Sequence, residues 1–76
     1  MRTIQDDSFR TWEAFATTGD YGFSDPARII FRCVTDPDER ARFVTIDGDK
    51  SDAEARIRSL TADELKDLMA EAEVVD

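Results

Sequence analysis

The apolar residues of this chain change their spacing once, at Asp47-Gly48-Asp49. Ahead of that point they fall at alternate positions, as on a strand; beyond it they recur every three or four residues, as on one side of a helix. A single switch of period in that direction predicts an α+β fold, strands first and a helical cover last. The clearest strand is about 27–35, where Ile29, Phe31 and Cys33 share one face and Arg28, Ile30, Arg32 and Val34 the other. Asp36-Pro37-Asp38-Glu39 makes a turn, with Pro37 preset for its first central position. A return strand over about 40–46 follows, with Phe43 opposite Arg42, Val44 and Ile46. Two strands joined so closely are antiparallel neighbours.

Two further strands, about 2–5 and 9–17, flank Asp6-Asp7-Ser8. The second alternates Trp12, Ala14 and Ala16 against Thr11, Glu13 and Phe15. Phe9, Trp12, Phe15 and Ala16 also have helical spacing, with Ser8 as a cap and Gly19 as a stop, but the Thr and aromatic content favours strand. Gly19 to Pro26 reads as a loop. In the C-terminal part, Ser51 with Glu54 and Thr61 with Glu64 have capping-box spacing, which predicts helices at about 52–59 and 62–73 with a break near Leu60. The expected architecture is one domain, residues 1–76: a three- to four-stranded antiparallel β-meander packed against a C-terminal segment of two short helices. Its expected core is Trp12, Ile29, Phe31, Cys33 and Phe43 under Leu65, Leu68 and Met69. A chain of 76 residues buries only about 60% of its surface, enough for one small core.

The order of these features resembles a loose group of small uncharacterised bacterial proteins with a β-meander and a closing helix. Asp6-Asp7, Trp12, Ile30-Phe31-Arg32, Arg40-Ala41-Arg42 and Leu60-Thr61-Ala62-Asp63-Glu64-Leu65 carry the likeness, which spans most of the chain. The Gly19–Pro26 loop is not part of that pattern. The resemblance implies an architecture and a bacterial source, and brings no activity with it.

The residue types restrict the chemistry further. With no histidine, imidazole bases and imidazole metal ligands are absent from the chain. A single cysteine permits neither a disulfide framework within the chain nor a thiolate zinc cage, and its place on the expected core face makes Cys33 a packing residue. Asp47-x-Asp49-x-Ser51 opens like a calcium loop, but Asp52 stands where such a loop needs glycine and Arg58 where it needs a bidentate glutamate. A turn running into a capped helix explains the same residues. Gly19 and Gly22 lack the lysine and third glycine of a phosphate loop. Carboxylates are plentiful, but a core this small predicts no desolvated pocket in which one would act as an acid. The expectation is a non-enzymatic chain with neither cofactor nor metal, and with no small-molecule substrate.

A net charge of −8 disfavours nucleic acid and anionic membrane as partners. Met1 to Asp7 lacks the apolar core of a signal peptide, and with the lone cysteine this leads to an expected cytoplasmic location. The Asp and Arg excess fits either GC-rich coding or adaptation to a salty cytoplasm. The charge is uneven: residues 27–46 carry four arginines against three acids, whereas residues 51–76 carry a net −5. Arginine interleaved with aliphatic residues suits a protein interface, because guanidinium forks bind carboxylates while their stems pack on apolar surface. A half-exposed sheet face with arginines for solubility is the plainer explanation. The leading expectation is a small accessory or interaction module that binds a protein partner or self-associates. Arg28, Arg32 and Arg42 are its charged contacts, Ile30 and Val44 its apolar anchors, and Tyr21 and Phe23 further candidates. Two other readings stand beside it: an acidic decoy that covers a basic protein surface with its 63–76 helix, and a small carboxylate- or metal-assisted enzyme.

Overall fold

Residues 2–18 and 26–75 are described by a computed structural model. Strand β1 (Arg2–Gln5) leads through a tight turn into β2 (Thr11–Thr17), followed by β3 (Arg28–Cys33) and β4 (Arg42–Thr45). Two helices come next, α1 (Lys50–Ser59) and α2 (Ala62–Glu71), and then a two-residue strand, β5 (Glu73–Val74). The strands form one sheet in the order β1-β2-β3-β4-β5, antiparallel at every step. The α+β meander with two C-terminal helices is therefore present, but with five strands instead of three or four. The additional strand is β5. It takes up Glu73, which the sequence spacing assigns to the second helix, and Val75 N donates to Ala41 O at 2.8 Å beside it.

Helix boundaries follow from caps. Thr61 and Glu64 form the expected box: the Thr61 hydroxyl accepts from Glu64 N at 3.1 Å and Glu64 accepts from Thr61 N at 2.9 Å. That backbone donor also holds the Glu64 carboxyl below its usual range. The α1 box sits two residues earlier than the Ser51/Glu54 spacing suggests, with Asp49 as the cap and Asp52 as its partner. Gly48 makes this possible: its φ of 124° lies where a side chain is strained, and a Cβ there would run into the Asp52 carboxylate. At the other end of α1, Arg2 Nη1 donates to the carbonyls of Ile57, at 3.0 Å, and Leu60, placing a cation at the helix C-terminus.

Pairing parity decides which side chains enter the core. Trp12 lies opposite Cys33 and Ile4, Ala14 opposite Phe31, and Ala16 opposite Ile29. Apart from Ala16, these residues and Ile46 form one buried cluster with Ala53 and Ile57 of α1 and Leu65 and Met69 of α2, and Ala16 and Leu68 pack at its margin. Across β3–β4, Ile29 pairs with Val44 and Phe31 with Arg42, which puts Val44 and Arg42 on the helix side. Ile30 pairs with Phe43, so Phe43 lies on the opposite side and is not in the core. Val44 and Ile46 together outweigh the single Phe43 as apolar surface to bury, and Arg42 is tolerated because its stem packs while its head reaches the margin.

Candidate sheet-face interaction surface

With both helices on one side of the sheet, three rows of side chains cross β3 on the other side. Phe15, Ile30, Phe43 and Glu73 form a row across β2, β3, β4 and β5. Thr17, Arg28 and Thr45 flank it on one side, and Glu13 and Arg32 on the other. Phe15, Ile30 and Phe43 are each half-buried, and Arg32 is exposed. The Arg28 guanidinium lies 4.9 Å from the centroid of Phe43, and Arg32 pairs with Glu13 at 3.5 Å. So exposed a pair contributes little to stability, but the stacked Arg28 holds its fork over an apolar row. Within a strongly acidic protein this face is charge-balanced, with Arg28 and Arg32 against Glu13 and Glu73.

The residues expected to share an interaction face divide between the two sides. Arg28, Ile30 and Arg32 come together on the helix-free side. Arg42 and Val44 do not join them: both face the helices, because pairing with Phe31 and Ile29 fixes their parity. Arg42 is instead a packing residue, 5.3 Å over the Trp12 ring and donating to Met69 O at 3.4 Å. Tyr21 and Phe23 lie outside the described residues. Phe15 and Phe43 complete the row and were not among the expected contacts; the alternation of Phe15 with Trp12 and Ala14 was the available signal.

A second feature lies between the β1–β2 turn and α2, a cleft of about 630 Å³ lined by Asp6, Arg10, Trp12, Arg42, Lys66 and Asp67 among others. Several of its ionic groups are engaged with one another. Asp6 accepts from Ser8 N at 2.8 Å, Arg10 N at 2.9 Å and the Trp12 indole N–H at 2.8 Å. Lys66 meets Asp7 at 2.9 Å, which raises the Lys66 pKa, and Arg10 bridges to Asp36 and Glu39, both at 3.4 Å. These contacts tie the turn to α2 and to the β3–β4 connection. Among the described residues, no group of three or more Cys, Asp or Glu side chains is placed to hold a metal ion, and no helix is long and apolar enough to cross a membrane.

The Trp12 indole donor holds the Asp6 carboxyl below its ordinary value, and the Arg10 and Ser8 amides act in the same direction. A depressed carboxylate contributes stability that is present above its unfolded value, about 3.9, and is lost as pH falls through the folded value. The melting temperature is therefore expected to fall between pH 5 and pH 3, and Asp6→Asn to flatten that part of the profile. A wild-type profile unchanged by Asp6→Asn would contradict this role.

No protein-family model, curated protein or solved structure matches the chain.

Proposed function

We propose that this protein is a non-enzymatic interaction module that docks a partner protein on the helix-free face of its sheet. The observation that carries this reading is the Phe15–Ile30–Phe43 row, edged by Arg28 and Arg32, on the side away from both helices. Aromatic and arginine side chains are enriched at protein interfaces, where rings supply area and guanidinium forks supply direction. The row is half-exposed, as suits a surface that a partner completes.

The arrangement favours a different chain over a second copy. Arg28 and Arg32 both lie on the central strand, either side of Ile30. Stacking two such faces about a two-fold axis along β3 sets each arginine against itself, and an axis across β3 sets Arg28 against Arg32. Like charges oppose in both cases. A partner presenting carboxylates around an apolar ridge fits the face. Replacing Ile30 and Phe43 together with threonine, which keeps β-propensity, is expected to leave a folded protein that no longer holds the partners captured by the wild type. Unchanged capture by that variant would remove this face from consideration.

A further inference from the structure

The β1–β2 turn breaks two rules at one residue. Asp6 N donates to Arg10 O at 2.9 Å and Phe9 N to Asp6 O at 3.1 Å, the bond pattern of a three-residue hairpin loop whose last position is left-handed. Glycine or asparagine suits that position; here it holds Phe9, with φ at 65°. Phe9 is also 79% exposed, the most exposed of the large hydrophobic residues described. A bulky ring thus stands in strained backbone and in water, held there by the bonds Asp6 makes to Ser8 N and Arg10 N on either side of it. Strain that the surrounding structure enforces and that no internal packing uses points to a role outside the fold.

We infer that Phe9 is the anchor of a second docking surface, and that it inserts into an apolar pocket rimmed by lysine and arginine on a partner protein. The partner's sign comes from the surroundings. Lys66 and Arg10 bring α2 and the β3–β4 connection up to this turn, so that Asp7, Asp36, Glu39, Asp63 and Asp67 gather at the same end of the molecule. Asp7 is 95% exposed. A ring on a turn at the predominantly acidic end of the molecule is complementary to a cavity in a basic surface, with the ring supplying affinity and the surrounding acids steering the encounter. This surface is distinct from the Phe15–Ile30–Phe43 row and does not rest on it.

The test uses the full chain with the photo-crosslinker p-benzoylphenylalanine in place of Ser8, irradiated in the cell of origin. Three backgrounds are compared: wild type, Phe9→Gly and Phe9→Trp. Phe9→Gly removes the ring and relieves the left-handed strain, so its melting temperature is expected to rise by about 5 °C. The same variant is expected to lose at least nine-tenths of a crosslink whose attachment point lies in a basic, pocket-bearing surface. Phe9→Trp is expected to keep that crosslink, and raised salt to weaken it. The Ile30→Thr/Phe43→Thr variant is expected to leave it intact, which separates this surface from the sheet face. A melting temperature that falls in Phe9→Gly shows the ring to be a packing residue and overturns the inference. So does a crosslink that Phe9→Gly leaves unchanged, one that attaches to an acidic surface, or none at all.

Discussion

Trp12→Ala is expected to cost the chain about 3–5 kcal/mol, much or all of its stability. The side chain is 1% exposed, in the second of five strands, paired with Ile4 on one side and Cys33 on the other. Its ring lies under the Arg42 guanidinium and its N–H meets the Asp6 carboxylate that organises the β1–β2 turn. Removing it empties the largest fully buried side-chain volume and takes the buried partner from both of those groups. Aromatic-to-alanine changes in cores cost about 3–5 kcal/mol. At typical stabilities per residue, a chain of 76 residues has about 4–11 kcal/mol in total. The loss therefore consumes much or all of the margin. Circular dichroism with urea titration measures it directly, and a cooperative transition within about 1 kcal/mol of wild type would contradict the account.

Arg42 gives the second large effect, and it is one of stability. Arg42→Ala removes the cation over Trp12, a bond to the Met69 carbonyl near the C-terminal end of α2, and the apolar stem packed beneath the sheet. Together these amount to about 2 kcal/mol, or about 10 °C in melting temperature for a domain of this size. Arg42→Met restores the stem and is expected to recover about half of that loss. Arg42→Glu sets an anion against the indole face and the Met69 carbonyl, and is expected to be worse than alanine. Partner capture by Arg42→Met is expected to match wild type. Unchanged melting in Arg42→Ala together with lost capture would make Arg42 a contact after all, and the face assignment of β4 would fail with it.

How far the chain can be read without its structure depends on whether the deciding information is local. The Thr61/Glu64 box and the strand through Ile29, Phe31 and Cys33 are local patterns, and both are present. The first helix begins two residues earlier than expected because Asp49/Asp52 and Ser51/Glu54 share one spacing; only the backbone at Gly48 distinguishes them. Strand β5 is too short for any periodic signal and exists through its pairing with β4. The side on which Phe43 lies depends on how residues 34–41 carry the chain from β3 to β4. Shifting the parity by one residue would exchange Phe43 with Arg42 and Val44. The candidate face was therefore half legible: Arg28, Ile30 and Arg32 follow from the alternation of a single strand, whereas their companions Phe15 and Phe43 follow from cross-strand register. Phe9 could not have been singled out, because a left-handed backbone in this turn is normally announced by glycine.

Photo-crosslinking from p-benzoylphenylalanine at two exposed positions shows whether the helix-free face receives a partner. Thr45 pairs with Arg28 on that face, and Ser51 lies on α1 across the molecule. Irradiated in the cell of origin, position 45 is expected to give a discrete adduct that disappears when Ile30 and Phe43 are both threonine, and position 51 is expected to give none. Equal adducts from both positions, an adduct at 45 indifferent to the double substitution, or no adduct at 45 would contradict docking on that face.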